Sequence, residues 1–157
     1  MHWSDQRLVY EDAYFRAEQC ADCCVPGYLI LSAKASVSSI TDLTSEALQN
    51  LGPRLALVIR AIEVVVRPEL VYCARFGEEV KALHFHLFPR TASLATEFLT
   101  EMGKHAKLNG PLLLNWARER HASVTATAAE QVKVTEVTHA IRGYAIARRE
   151  STLRGSD

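Results

Sequence analysis

The chain has 157 residues, of which 48% are hydrophobic and 23% are charged, and its formal net charge is zero. This size and composition indicate one globular domain with a hydrophobic core. A neutral chain lacks the basic excess of proteins that bind nucleic acids or membrane surfaces, so we expect neither partner. No apolar run approaches the roughly 20 residues of a transmembrane helix. Because residues 1–5 show no basic region followed by an apolar stretch, the expected location is cytoplasmic.

The first half of the chain predicts short strands followed by one long helix. Residues 7–10 and 14–17 are predicted strands around an acidic turn, and residues 28–31 form a buried strand after the Pro26-Gly27 turn signal. Because proline removes an amide donor, Pro53 predicts a kink or a break in the helix, and Pro68 predicts its end near Arg67. The helix itself is indicated by apolar residues that recur every three or four positions, namely Leu48, Leu51, Leu55, Val58, Ile62 and Val65.

The second half predicts two strands and then helices. Residues 70–76 and 80–88 are predicted antiparallel strands joined by a turn at residues 77–79. Residues 94–102 and 111–120 are predicted helices, and a capping box from Thr127 to Glu130 opens the last one. We therefore predict an α+β fold with an antiparallel sheet, a central long helix and extra C-terminal helices. Residues 1–157 are expected to form a single domain, with about 91–150 as its helical C-terminal extension.

Two histidines alternate with apolar residues in the second of these strands, where the sequence reads Leu83-His84-Phe85-His86-Leu87-Phe88-Pro89-Arg90. Because side chains alternate faces along a strand, His84 and His86 should point to one side, and Phe85 and Leu87 to the other. Imidazole acts near neutral pH as a nucleophile, a general acid or base, or a metal ligand. The residues alone leave these possibilities open, together with a purely structural role.

Residues 84–90 resemble the end of the histidine triad signature, in which three histidines alternate with apolar residues and Pro-Arg often follows. Residues 25–30 resemble the Pro-Gly-His turn of that family, residues 42–43 its helix entry, and residues 77–81 the loop before the triad strand. The chain is thus similar to histidine triad (HIT) proteins over roughly residues 9–90. The resemblance implies an α+β domain, usually homodimeric, that hydrolyses or transfers nucleoside phosphates, including dinucleoside polyphosphates and adenylate conjugates.

The resemblance also implies roles for individual residues, and it implies no cofactor. His84 matches the nucleophile that attacks the α-phosphorus and forms a nucleotidyl-histidine intermediate, which needs a hydrogen bond to its far ring nitrogen. His86 would donate to a phosphate oxygen or protonate the leaving group. Arg90 would neutralise phosphate charge or serve as a surface residue. Ala82 replaces the first triad histidine, and Glu78 replaces a glutamine that contacts phosphate in some members.

Further departures from the family pattern leave alternatives open. Tyr28 stands where Pro-Gly-His has its histidine, and an asparagine that contacts the ribose in some members aligns with Cys20 or a neighbour. The chain is either an active nucleotidyl hydrolase or transferase, or a nucleotide-binding protein without turnover. A third possibility is a metal site in which Glu78 or a distant histidine joins His84 and His86.

The cysteines raise a separate question about metal binding. Cys20, Cys23, Cys24 and Cys73 are expected to be free thiols, as in most cytosolic proteins. The first three have the spacing of half a zinc site. His105 and His121 are the candidates for the other half, because no second Cys-x-x-Cys pair is present.

Overall fold

The computed structural model describes residues 6–154, so residues 1–5, on which the expected location rests, lie outside the described part. The predicted α+β class is confirmed. Within the described residues, five strands form one antiparallel sheet in the order β1-β2-β3-β5-β4. The strands are β1 (Leu8–Glu11), β2 (Phe15–Gln19), β3 (Leu29–Ala33), β4 (Leu70–Ala74) and β5 (His84–Arg90). The α-helices are α1 (Ser45–Val66), α2 (Ala92–Met102), α3 (Gly110–Arg120) and α4 (Ala128–Arg154).

The connection between β4 and β5 is longer than predicted. β4 ends at Ala74, and β5 begins at His84, so the predicted turn at residues 77–79 is part of a loop that spans residues 75–83. Leu83, the last residue of this loop, bonds to the chain on the β3 side. Its amide donates to the carbonyl of Val37, and its carbonyl accepts from the amide of Ala33. The end of the loop is therefore held against residues 33–37, and it lies directly beside His84.

β5 also extends two residues past its predicted end, through Pro89. Leu87 is the last residue of β5 that pairs with β3, whereas pairing with β4 continues to Arg90. Pro89 therefore lies beyond the paired region on the β3 side. A proline, which has no amide to donate, is tolerated in a strand where one edge is unpaired.

The long helix α1 runs from Ser45 to Val66 as one element, so the predicted break at Pro53 is wrong, and the alternative of a kink stays a prediction. Gly52 and Pro53 are exposed, and Gln49, whose carbonyl loses its amide partner to Pro53, is also on the exposed surface. Water can satisfy that carbonyl. The predicted end is confirmed, because Arg67 adopts a left-handed conformation with φ of 53° just before Pro68.

Hydrophobic cores lie on both faces of the sheet. Phe85 and Leu87 belong to the core that α1 and α4 cover, in which Ile141 of α4 is fully buried. Phe88 belongs to the other core, which Phe98 of α2 and other residues of α2 and α3 complete. Each core thus joins the sheet to helices that follow Arg90. The assignment of these helices to the same domain stays a prediction.

The predicted start of the last helix is confirmed. The hydroxyl of Thr127 accepts from the amide of Glu130 at 3.2 Å, and the Glu130 carboxylate accepts from the amide of Thr127 at 2.7 Å. From there α4 packs along α1 and β1. Among residues 6–154, no helix combines the length and the apolar character that crossing a bilayer requires.

Candidate active site

His84 and His86 lie at the beginning of β5 on the same face of the sheet, as the strand periodicity predicts. Their ring centroids are 4.9 Å apart, and their Nε2 atoms are 3.2 Å apart. In β3, Ser32 pairs with His84 and Ile30 pairs with His86. On the β4 side, the small side chain of Ala74 stands opposite His86. The two imidazoles therefore converge above a floor of neighbouring strands.

A chain of hydrogen bonds fixes the tautomers of both rings. The carbonyl of Ala82 can only accept, so the Nδ1 of His84, which lies 2.7 Å from it, carries the hydrogen. The Nε2 of neutral His84 is then an acceptor, and the Nε2–H of His86 donates to it. The remaining Nδ1 of His86 accepts from the hydroxyl of Tyr28 at 2.7 Å. The expected carbonyl partner of the far ring nitrogen of His84 is thus the carbonyl of Ala82.

Burial keeps the middle of this chain uncharged. Burial, together with smaller electrostatic contributions from His84 and Arg118, lowers the pKa of His86 to about 4. Burial also raises the pKa of Tyr28 well above its ordinary value. Near neutral pH, His86 is therefore a neutral imidazole and Tyr28 retains its proton.

The turn before β3 positions Tyr28. The amide of Tyr28 donates to the carbonyl of Val25 at 3.1 Å, and Gly27 adopts a positive φ of 79°. The buried amide of Gln19 holds the same turn, because it donates to Val25 at 2.9 Å and accepts from the amide of Gly27 at 3.0 Å. A Cβ on Gly27 would lie 2.6 Å from the side chain of Val66. Gly27 is therefore required both by the turn geometry and by the packing of the turn against α1.

A cavity of about 480 Å³ opens above the histidines. Its size is within the range of small-molecule sites. Five of the residues singled out from the sequence line it, namely Cys20, Glu78, Ala82, His84 and His86. The loop after β4 forms one wall through Phe76 and residues 77–80, and residues 19–22 form another. The cavity can thus hold a ligand in contact with both imidazoles.

Arg90 is not brought into this cavity. It lies at the other end of β5, where its guanidinium pairs with the carboxylate of Glu69 at 2.5 Å. With 12% of its side chain exposed, Arg90 is not the surface residue that the sequence allowed, and its phosphate role stays a prediction.

The sequence interpretation missed the part of the site that α3 provides. Asn115 and Arg118 line the cavity, although they lie about 30 residues after the histidines in the chain. Their spacing of three places them on one face of α3. Nothing in the local sequence marks either residue as functional, because their proximity to His86 depends on how α3 packs against the sheet. Tyr28 did carry a signal, since it occupies the position of a family histidine.

The cysteines show no metal site. Cys20 and Cys23 are buried, Cys24 is half-buried and Cys73 is exposed, and all four are free thiols as expected. Burial raises the pKa of Cys20 and brings that of Cys23 to about 12, which disfavours the thiolate that binds metals. Among residues 6–154, no group of three or more His, Cys, Asp or Glu side chains is arranged to hold a metal ion.

Comparison with known proteins agrees with this geometry. A family model described as the HIT domain matches residues 3–93, more than half of the chain. A histidine triad protein from Bradyrhizobium japonicum is 18% identical, with a TM-score of 0.63 over 92% of this chain and 96% of that one. A hypothetical histidine triad nucleotide-binding protein from Sulfolobus tokodaii is 17% identical, with a TM-score of 0.60 over 90% of this chain and 84% of that one.

A zinc-bound histidine triad family protein from Mycobacterium smegmatis is 14% identical, with a TM-score of 0.58 over 92% of this chain and 86% of that one. No curated protein sequence matches the chain significantly. At these identities the solved structures establish the fold, and the family model establishes membership. The chain belongs to the HIT domain family.

Proposed function

We propose that this protein is a nucleotidyl hydrolase or transferase that cleaves at the α-phosphate of a nucleoside phosphate conjugate. The conjugate is a dinucleoside polyphosphate or an adenylate conjugate, and the reaction passes through a nucleotidyl group on His84. One observation carries the proposal. The Ala82 carbonyl holds the hydrogen of His84 on Nδ1, so Nε2 keeps the lone pair. That lone pair accepts from His86 in the free site and can attack a ligand in the cavity that both histidines line. Members of the HIT family typically perform this class of reaction.

In the first step, Nε2 of His84 attacks the α-phosphorus. A P–N bond forms, the bond from phosphorus to the leaving group breaks, and the leaving group departs with the electron pair. The imidazole becomes positively charged, and its Nδ1–H still donates to Ala82, whose carbonyl dipole stabilises that charge. In the second step, water attacks the phosphorus, the P–N bond breaks, and the water releases one proton. An alcohol or amine in place of water gives transfer instead of hydrolysis.

His86 is best suited to bind a non-bridging phosphate oxygen. Its Nε2–H, which donates to His84 in the free site, would turn to the phosphate once His84 is engaged. Protonation of the leaving group by a cationic His86 is less favoured, because burial holds its pKa near 4. Neutral His86 would act as a hydrogen-bond donor that Tyr28 keeps in the required tautomer.

The test is to incubate the protein with a panel of adenylate conjugates and dinucleoside polyphosphates, and to measure products together with acid-labile nucleotide on the protein. His84→Ala should remove both, at a cost of about 4 kcal/mol or more in barrier. His139→Ala removes an exposed histidine from α4 and is the matched control. Full turnover by a folded His84→Ala protein would exclude the mechanism.

Binding without turnover is the second candidate, and Ala82 favours it because the first triad histidine is absent. In that case nucleotides would bind in the same cavity, but neither products nor covalent nucleotide would form. The same assay therefore separates the two candidates.

We also propose a homodimer. Among the described strands, β4 pairs only with β5, so its outer edge is open, and Leu70 on it is exposed. Edge pairing between two copies would satisfy these backbone groups. A monomer at micromolar concentration in light scattering would contradict this proposal.

A further inference from the structure

We propose that Arg118, which α3 supplies from outside the region that the HIT model matches, binds the phosphate group that His84 attacks. The inference rests on the proposed function for the identity of the ligand. It assigns a phosphate-binding residue to the C-terminal extension.

The first observation is that the guanidinium of Arg118 has no carboxylate partner in the described part of the chain. Arg120, two residues further along α3, lies near Glu97 and Glu101 at 3.7 Å. No carboxylate within residues 6–154 lies within 4.0 Å of Arg118, and no hydrogen bond of its side chain is found there. Arg118 is half-buried. A partly desolvated cation without an anion is costly, and a bound phosphate would relieve that cost.

The second observation is its position relative to the histidines. Arg118 lines the same cavity as His84 and His86, and its charge is one of the causes that lower the pKa of His86. Arg7 also lines the cavity, but it is not among those causes. Of the two arginines that line the cavity, Arg118 is thus the one whose charge acts on His86.

The third observation is what the rest of the cavity lacks. Ala82 leaves the histidine face with one imidazole fewer than the family pattern, and the lining includes several carboxylates, namely Glu18, Asp22, Glu78 and Glu79. Glu18 is already paired with Arg16 at 2.9 Å. A phosphate entering this cavity needs a compensating cation, and guanidinium can supply two parallel hydrogen bonds to phosphate oxygens.

The experiment measures binding of AMP and of adenosine to the full-length His84→Ala protein, in which no turnover occurs. Adding Arg118→Ala should weaken AMP binding about 10- to 100-fold and leave adenosine binding unchanged, because the lost contact is to phosphate. Arg118→Lys should recover part of the affinity, since it keeps the charge but loses the bidentate geometry. Arg120→Ala is the matched control on the same helix and should have no effect.

The outcomes separate this inference from the proposed function. The inference is wrong if adding Arg118→Ala to the His84→Ala protein leaves AMP binding unchanged, or weakens the binding of AMP and adenosine equally. It is also wrong if the His84→Ala protein binds no AMP. If AMP binding depends on Arg118 but the wild-type protein turns over no substrate, the inference stands and the proposed catalysis fails. Melting temperatures of all variants show whether each remains folded.

Discussion

The hydrogen bond from Tyr28 to His86 can be removed with little change in shape by Tyr28→Phe. Tyr28 is fully buried, and its ring packs edge-on against Phe88 with centroids 5.1 Å apart. Phenylalanine keeps that packing. The variant loses only the hydroxyl, which leaves the buried Nδ1 of His86 without its partner.

Two effects follow. An unsatisfied buried acceptor costs about 1–3 kcal/mol of folding free energy. At about 2–4 °C per kcal/mol for a chain of this size, the melting temperature should fall by roughly 2–12 °C. His86 can also adopt the other tautomer, in which Nε2 has no hydrogen to donate to phosphate. A preference of about 1–2 kcal/mol for that tautomer lowers the rate about 5- to 30-fold.

Tyr72→Phe is the matched control. Tyr72 stacks on the same Phe88 at 6.0 Å, and its hydroxyl makes no hydrogen bond within the described residues. The assay is steady-state turnover together with thermal unfolding of both variants. Tyr28→Phe should lower kcat more than it raises KM, because it alters a contact to the reacting phosphate. Unchanged kcat and unchanged melting temperature in Tyr28→Phe would refute the proposed hydrogen-bond chain.

Three further predictions concern charge at the site. His86 has a pKa near 4 in the folded chain against an ordinary 6.5, so the unfolded chain binds more protons between these values. The free energy of unfolding should therefore rise as pH increases from about 4 to 6.5, and this stability should be lost as pH falls. Urea unfolding checks this: the difference in unfolding free energy between about pH 7 and about pH 5 should be smaller in His86→Asn than in the wild-type protein. Glu78→Gln removes an exposed carboxylate from the cavity lining, and it should raise the rate on a dinucleoside polyphosphate about threefold. A lower rate would give Glu78 a positive role, such as orienting water. A chelator should leave turnover unchanged, because a metal ion on His84 would occupy the lone pair that attacks phosphorus. If elemental analysis finds one equivalent of zinc in the wild-type protein and none in His84→Ala, the metal alternative is favoured instead.

Local signals predicted most of the fold. The apolar repeat of α1, the capping box at Thr127 and the Pro26-Gly27 turn each depend on neighbours in the sequence, and each is present in the structure. The errors arose where tertiary contacts decide. The chain continues as a helix through Pro53 because the carbonyl affected there faces water, while Val58 and Ile62 further along are fully buried. β5 begins only at His84, because its pairing with β3 begins there, opposite Ser32, and its pairing with β4 reaches only as far as His86.

The candidate site divides in the same way. His84, His86, Ala82 and Glu78 lie within nine residues of one another, so a motif could identify them together. Arg118 could not be identified in this way, because its place in the cavity depends on the packing of α3 against the sheet.

Two family histidines are absent from this chain, one replaced by Ala82 and the other by Tyr28, and both changes remove an imidazole that could titrate near neutral pH. Tyr28 retains its proton because burial raises its pKa, and His86 remains neutral because burial lowers its own. Arg118 is charged at every accessible pH. Protonation of the residues around His84 is therefore nearly constant across the neutral range. A phosphate in this cavity would meet permanently charged arginines in place of a set of titrating imidazoles, and its affinity should vary less with pH than in a site with all the family histidines.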